Sequence, residues 1–286
     1  MLLQQRIRSN PKNVLLGALA FLLLTISGSG QQQAFKSSPF NDGEWLKYKV
    51  KWGLIRLGTL EFFQERVQDA HGPVYRVTMR AKSAKLPFIK IHFVNECLLN
   101  ALQPVLSDFS IKIGKEAENV TTYRYHPHSN TVIMTKVLHE EVVRIDSLSD
   151  DDKLYDAVGT FMMIRCLSAS ERKHVLKNVI DFDVKRTHLD FSDEVESIKV
   201  AAFDEKQKGL KYTGMADFEG KAYAGINGPF KGWISTDEAA IPLKTKVKIF
   251  LGSITIELED YRREPEKEPK TDSGLWYTEN TIPACH

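Results

Sequence analysis

The chain has few cysteines and lacks the paired cysteine motifs that bind metals or carry out redox reactions. Only Cys97, Cys166 and Cys285 occur among its 286 residues, and none of them forms a CxxC pair. Three cysteines in a chain of this length do not make a disulfide framework. Cys97 and Cys166 lie in apolar stretches, so we expect both to behave as small buried side chains.

Long apolar runs are also rare, and the one present lies near the N-terminus. Three basic residues precede the apolar run 14–26, and small residues follow at 27–30. This order is typical of a secretory signal peptide, and the run falls short of the about 20 residues that a spanning helix needs. We therefore predict a signal peptide over 1–30, a periplasmic location and no transmembrane span in the mature chain. An inner-membrane anchor formed by residues 14–26 is the alternative.

The mature chain has no excess of either charge. Residues 1–30 contain three of the 39 Lys and Arg residues and no acid, which leaves 36 basic residues against 37 acidic ones. This balance does not indicate the extended basic surface that binds nucleic acid, so we predict no such partner. Lys47, Lys49 and Lys51 alternate with apolar residues, which favours a solvated strand face over an anion site, the alternative for these lysines.

No catalytic or metal-binding pattern is recognisable in the sequence. Ser235 and Asp237 have neither a GxSxG elbow nor a histidine in a triad context, so we interpret them as turn residues. Residues 119–125 and 131–137 are predicted to pair as a hairpin, with His126 and His128 flanking Pro127 in its loop. His139 lies at the far end of the second strand, which opposes a closed coordination sphere. We predict no catalytic residue, no metal and no cofactor.

Alternation of apolar and polar residues dominates the rest of the chain and predicts many short strands. Such alternation is typical of an antiparallel sheet with one buried face. Residues 152–168 show helical spacing instead, with Asp150, Asp151 or Asp152 as the predicted cap. We predict a mainly β fold: a curved antiparallel sheet, or a partial or closed β-barrel, with one helix between two strand groups.

These elements define the expected domain organisation. The strand groups at 40–148 and 175–262 form a single β-rich domain with the helix between them. Residues 31–39 are expected to be a linker, and residues 263–286 a charged, largely disordered tail.

Glycines interrupt the two clearest strand patterns. Gly53 and Gly58 break an alternating run over 43–63, so we predict one long strand that bends twice and curls its aromatic face inward. Further along, Gly252 and Ser253 are predicted to form a two-residue hairpin turn that places Ile249 opposite Ile256.

Several blocks of sequence resemble one family of exported bacterial proteins, the domain-of-unknown-function family thirty-one-oh-eight. The resemblance spans roughly 40–262, and the order and spacing of the motifs carry it. It implies a mostly β protein of the Gram-negative envelope, without an established activity or catalytic residues. The matching positions are Gly43, Glu44, Leu46, Tyr48, Trp52 and Gly58, then Asp156, Phe161 and Arg165 of the helix, then Gly232, Trp233, Ser235, Asp237 and Pro242, and finally Gly252.

Together these patterns favour a non-enzymatic envelope protein. We predict that Trp52, Phe62, Phe93 and Trp233 line one apolar interior that binds an apolar or amphiphilic ligand such as a lipid. One alternative is an envelope assembly or structural factor with a filled core, a surface for other proteins and no ligand cavity; another is an uncharacterised envelope enzyme. A continuous apolar cavity of about 300 Å³ or more would favour the ligand-binding protein, and a packed interior the assembly factor.

Overall fold

A computed structural model describes residues 39–69, 72–85, 92–100, 106–113, 119–126, 129–169, 172–180, 182–217, 228–249 and 252–263. The predicted signal peptide, the tail from 264 onward, Cys285 and His128 lie outside these residues.

Fifteen described strands form one curved sheet, which confirms the mainly β fold class. They are β1 (Glu44–Trp52), β2 (Ile55–Asp69), β3 (Gly72–Ser83), β4 (His92–Asn100), β5 (Leu106–Ile113), β6 (Asn119–His126), β7 (Thr131–Leu138), β8 (Glu141–Ser149), β9 (Leu154–Tyr155), β10 (Lys173–Ile180), β11 (Asp183–Ile198), β12 (Gln207–Asp217), β13 (Gly228–Ser235), β14 (Pro242–Ile249) and β15 (Gly252–Arg262).

The two strand groups meet at β1 and β15, which pair with each other. From β1 the strands follow in chain order out to β8, and from β15 they follow in reverse order out to β9. The short parallel contact between β9 and β10 is an exception to the antiparallel pairing elsewhere in the described sheet. No ladder joins β8 to β9 in the described part of the chain, so the sheet is open and is not a closed barrel.

Side chains connect the two ends of the sheet instead. Lys177 on β10 contacts Asp150 at 2.6 Å and Asp152 at 2.7 Å, just after β8. The guanidinium of Arg144 on β8 lies 4.1 Å from the ring centre of Phe182, in the turn between β10 and β11. These contacts bring the ends together without backbone pairing.

The helix, α1, spans Ala157–Leu167 and begins later than the sequence predicts. Leu154 and Tyr155 pair with β10 as β9, so helical geometry can begin only after them. The cap is therefore Asp156, whose side chain accepts a hydrogen bond from the Gly159 amide at 2.6 Å. The prediction that Asp150, Asp151 or Asp152 caps the helix is wrong.

The apolar side of α1 packs into the main core. Val158, Met162 and Cys166 are buried there, and Phe161 stacks on Phe62 of β2 with ring centres 3.8 Å apart. Cys97 and Cys166 are free and buried, as predicted. Burial raises the pKa of the Cys166 thiol to about 12, which keeps it protonated at neutral pH.

Three buried polar contacts tie α1 to different parts of the sheet. At its start Asp156 accepts a hydrogen bond from Asn95 of β4 at 2.9 Å, and one turn later Asn178 of β10 donates to the Thr160 hydroxyl. Near its end Arg165 forms two hydrogen bonds with the Glu44 carboxylate of β1, at 2.6 and 3.0 Å. Since buried polar groups need partners, these contacts specify where the helix docks.

The Glu44–Arg165 pair is fully buried and is satisfied on both sides. Arg165 also donates to the backbone carbonyls of Ala239 at 2.9 Å and Ala240 at 3.2 Å, in the loop between β13 and β14. Glu44 accepts a hydrogen bond from Gln64 and lies 2.8 Å from Arg263. This network joins both strand groups to the helix.

We expect Asp156→Asn to be tolerated and Asp156→Ala to be destabilising. Asparagine also caps helices, and its amide nitrogen can use the Asn95 Oδ1, which has no hydrogen-bond partner. Alanine removes the cap and leaves Asn95 and Gly159 unpaired, at a cost of about 2 kcal/mol or more. Urea unfolding of the two variants measures the difference, and equal losses would contradict the capping role.

The same carboxyl should make stability depend on pH. Burial raises the pKa of Asp156 above its ordinary value of 3.8, although hydrogen bonds from Gly159 and Asn95 oppose this. The folded state therefore binds this proton more tightly than the unfolded chain does. Relative to Asp156→Asn, the wild-type free energy of unfolding should fall as the pH rises above 3.8.

The first predicted strand is in fact two strands. β1 ends at Trp52 and β2 begins at Ile55, so Gly53 and Leu54 form a turn that reverses the chain, and the predicted bend at Gly53 is wrong. Gly58 does lie at a β-bulge, because the register between β1 and β2 shifts there. The position also needs glycine, since an added Cβ atom would stand 2.3 Å from the Lys82 carbonyl oxygen. Bending is thus confined to Gly58.

The last hairpin also has a register different from the predicted one. Ile249 pairs with Gly252 and Val247 with Ile254, so residues 250–251, outside the described part, connect the strands. The apolar alternation fits both registers, and the tertiary packing selects this one.

Gly252→Val should lower the free energy of unfolding by about 1 kcal/mol or more, because a β-branched residue is strained at positive φ. Gly252 has a φ of +97°, and an added Cβ would lie 3.6 Å from the Trp52 indole nitrogen. Thermal or urea unfolding checks this, and an unchanged stability would contradict the backbone conformation at this position.

Candidate functional site

The structure separates the four residues predicted to line a ligand site. Phe62 is buried in the main core, and Phe93 is partly buried against it. Trp233 is also buried but lies outside that cluster, and its ring nitrogen donates to Glu196 at 2.9 Å. Trp52 lies at the end of β1 and is 39% exposed. Of the four, Trp52 is the one placed at an accessible surface, and a role in ligand binding remains a prediction for all of them.

The described interior is packed by side chains. Two clefts in the described part of the chain, one beside the core and one on the opposite face of β1–β3, each contain about 160 Å³ of empty space, counting space open to solvent, and neither admits a water molecule. The first lies between β1, β2, β3 and α1, beside Glu44 and Arg165. A drug-sized ligand needs about 300 Å³ or more, and neither of these two clefts reaches that size.

An apolar surface is present where β1 turns into β2. Leu54 is fully exposed, Ile55 is 51% exposed, and Trp52 pairs with Ile55 on one side and Ile254 on the other. We call Trp52, Leu54, Ile55 and Ile254 the apolar rim. Trp52 lies on the same face of β1 as Leu46 and Tyr48, but burial decreases along that face from Leu46, at 1% exposed, towards the rim.

The opposite face of the same strands is basic. Lys49 on β1 and Lys244 on β14 both pair with Glu257 of β15, so the three side chains project from one side of the sheet. Lys51 joins them, and the distances from Glu257 are 2.9 Å to Lys51, 3.6 Å to Lys49 and 3.8 Å to Lys244. The interpretation of Lys49 and Lys51 as simply solvated is therefore incomplete.

Two further lysines extend this surface, which we call the lysine face. Lys246 and Lys248 follow Lys244 at every second position of β14 and are exposed. The lysine face then has five lysines around one glutamate. It consists of Lys49, Lys51, Lys244, Lys246, Lys248 and Glu257.

The charges on this face perturb one another. Burial, with repulsion from Lys51, Lys246 and Lys49, lowers the pKa of Lys244, while Glu257 partly offsets this. Burial alone would raise the pKa of Glu257, but the hydrogen bond from Lys51 and the neighbouring ammonium groups lower it overall. Glu257 is shared by three ammonium groups, and the charge of Glu259 also interacts with Lys49. Five lysines against these two carboxylates leave an excess of positive charge, which an anion would relieve.

The rim and the lysine face together make this end of the central strands amphipathic. Tryptophan is enriched at membrane–water interfaces, and lysines near an anionic leaflet are attracted to it. An anionic amphiphile has the matching chemistry, with acyl groups for the rim and a charged head for the lysines.

Sequence reasoning identified Trp52 but missed most of this site. Leu54 and Ile55 fall within the bent strand that the sequence predicts, although the run Trp-Gly-Leu-Ile also fits an apolar hairpin tip. Lys244 and Glu257 lie about 200 residues from β1 in the chain, and no local pattern connects them to it.

The residues that the sequence disfavours as catalytic or metal-binding groups lie in turns or at strand ends. Ser235 donates to Asp237 at 2.6 Å and accepts a hydrogen bond from the Ile241 amide at 2.8 Å, which confirms both as turn residues. His126 ends β6, whereas His139 lies in the turn between β7 and β8, at the other end of the hairpin. The described residues contain no group of three or more His, Cys, Asp or Glu side chains that could hold a metal ion.

In the part of the chain that the structure describes, no helix has the length and apolar composition that crossing a membrane requires. The helix α1 has only 11 residues and lies in the core.

Comparisons with known proteins identify a family and a fold. A family model described as "Protein of unknown function (DUF3108)" matches residues 47–259. A crystal structure of a β-barrel-like protein of the domain of unknown function DUF1849 from Brucella abortus is similar, with a TM-score of 0.50 and 11% identity over 78% of this chain and 98% of that one. No functionally curated protein matches the chain. At that identity the structural likeness shows the fold alone, but the family match covers most of the sequence, and the chain therefore belongs to the DUF3108 family.

Proposed function

We propose that this protein is a non-enzymatic component of the bacterial cell envelope that binds anionic amphiphiles at the apolar rim and the lysine face, chiefly as part of a lipid surface. The observation that carries the proposal is the exposure of Trp52, Leu54 and Ile55 at the end of strands whose opposite face carries five lysines. Binding at the rim and the lysine face requires no interior cavity, which agrees with the packed core.

Two physical contributions support binding at the rim and the lysine face. Transfer of an exposed Leu or Ile side chain out of water contributes about 1.5–3 kcal/mol when burial is complete. Each lysine near an anionic surface adds about 1 kcal/mol, and salt weakens this attraction. Neither contribution alone gives firm attachment, so the proposal requires both.

The envelope location rests on the predicted signal peptide. N-terminal sequencing of the exported protein should begin near Gly30 or Gln31, because the small residues at 27–30 resemble a cleavage site. An exported protein that retains Met1 would instead favour the membrane anchor at 14–26.

Co-sedimentation with lipid vesicles tests the proposal. The mature protein should bind vesicles of phosphatidylcholine with phosphatidylglycerol more tightly than vesicles of phosphatidylcholine alone, and sodium chloride should weaken the binding. A parallel titration with a monomeric anionic detergent, followed through tryptophan emission, separates recognition of single amphiphiles from recognition of a surface. Failure to bind either vesicles or detergent would overturn the proposal.

A scaffold for other envelope proteins is the second candidate. The packed interior favours it, as does the exposed apolar edge strand β8, where Val142, Val143 and Ile145 face solvent. Isolation of a stoichiometric protein complex from the envelope, together with no lipid binding, would support this role.

A further inference from the structure

The strand β8 has the properties of a pairing edge. It ends one arm of the sheet, and no described strand pairs with its outer side. Val142, Val143 and Ile145 are 58%, 50% and 68% exposed, and the first five residues of β8 are all exposed. Unpaired edges with apolar side chains are templates for another strand.

The edge has a regular segment next to a bulge. The register with β7 shifts between Lys136 and Val137, which leaves Val143 without a partner. From Arg144 to Ser149 the pairing with β7 is regular. The charges within this segment are Arg144 and Asp146, which contact each other at 2.9 Å.

This charge pattern is complementary to itself in one antiparallel register. If Ile145 lies opposite the same residue of a second copy, Arg144 lies opposite Asp146 twice, within the regular segment of the strand. Opposite charges directly across an antiparallel pair stabilise it, and like charges destabilise it. The exposed Ile145 then meets the Ile145 of the other copy in the same register that matches the charges.

The neighbouring two-fold registers are less favourable. Centring the pair on Arg144 or on Asp146 places two like charges opposite each other. Centring it on Ser147 places Asp146 opposite the apolar Leu148. Registers centred between residues would pair outward-facing backbone groups with inward-facing ones, which an antiparallel ladder does not allow.

We propose that β8 is a self-association surface, on which the β8 strand of a second copy of this chain pairs antiparallel about Ile145. The two sheets then continue into one another across the interface. Arg144 also lies over Phe182, so pairing would place the partner's acidic side chain beside an arginine that is already oriented. This interface is separate from the apolar rim and does not depend on lipid binding.

Disulfide trapping tests the register. In a Cys285→Ser background, Ile145→Cys should form a covalent dimer under mild oxidation, since directly opposed Cα atoms lie about 4.5–5.5 Å apart, within the disulfide range. Ser147→Cys is the matched control on the same strand. In the proposed register two copies of it are separated by four residues, about 13 Å, and should crosslink at least tenfold more slowly.

Charge exchange gives a second, independent test. Arg144→Glu and Asp146→Arg should each weaken self-association in sedimentation velocity experiments, because each creates like-charge pairs. A one-to-one mixture of the two variants restores both opposite-charge pairs and should associate like the wild type. Recovery in the mixture also shows that both variants are folded.

Equal crosslinking rates at positions 145 and 147, or faster crosslinking at 147, would overturn the proposal. So would association that is unchanged in both charge variants, or a mixture that associates no better than the variants alone. A monomeric wild type at the highest soluble concentration, combined with no crosslinking at position 145, would also overturn it.

Discussion

Arg165→Met should lower the free energy of unfolding by about 3–5 kcal/mol, because it leaves a buried carboxylate without its principal cation. Arg165 is fully buried and donates two hydrogen bonds to Glu44 and two to the loop between β13 and β14. Methionine has a similar length, so loss of volume contributes little to the effect. Urea unfolding followed by circular dichroism measures the change.

An exposed ion pair provides the matched control. Arg76 on β3 contacts Glu65 on β2 at 2.6 Å, the same distance as the shorter Arg165–Glu44 contact, but both partners are solvated. Arg76→Met should therefore cost less than about 1 kcal/mol. The double variant Glu44→Gln/Arg165→Met should recover part of the loss, because it removes the uncompensated charge. Similar losses for Arg165→Met and Arg76→Met would show that the buried network does not hold the helix in place.

Leu54→Asp should weaken binding to anionic vesicles at least tenfold, because it removes the most exposed apolar side chain of the rim and adds repulsion. Loss of about 1.4 kcal/mol is sufficient for a tenfold change, and complete burial of leucine is worth at least that. Since Leu54 is fully exposed in a turn, the fold should be unaffected. Co-sedimentation with phosphatidylglycerol vesicles gives the affinity.

Val175→Asp is the control for an apolar residue elsewhere. Val175 is 56% exposed and lies near the start of β10, five strands away from β15 in the order of the sheet. Its replacement should leave vesicle binding unchanged. Lys246→Glu with Lys248→Glu should reduce both the affinity and its dependence on salt, because these exposed lysines contribute charge and not packing. Equal losses of vesicle affinity for Leu54→Asp and Val175→Asp would contradict specific binding at the apolar rim.

The distinction between local and long-range information explains which structural predictions succeeded. Alternation along β6 and β7 predicted their hairpin, and helical spacing predicted α1, since both patterns depend on neighbours within a few residues. The helix start was wrong because β9 pairs with β10, which follows the helix in the chain. The register of the last hairpin was wrong because its alternation is compatible with more than one pairing.

The candidate site shows the same division. Trp52 was recognisable as an aromatic residue beside a glycine, but its partner Ile254, and Lys246 on the opposite face, come from strands that lie far along the chain. The contrast between an apolar rim and a basic opposite face exists only because β1 pairs with β15 and β15 with β14.

By itself, the sequence determined the mainly β class, the presence of a helix between two strand groups and the bulge at Gly58, because periodicity and backbone sterics act over a few residues. Only the tertiary structure decided that Gly53 turns the chain, that Asp156 caps the helix and that Arg165 forms hydrogen bonds with Glu44, 121 residues away in the sequence. It also decided that the described core is filled, with the exposed apolar residues at the rim and on β8. These features depend on which distant strands become neighbours, and that choice is made by the packing of the whole sheet around α1.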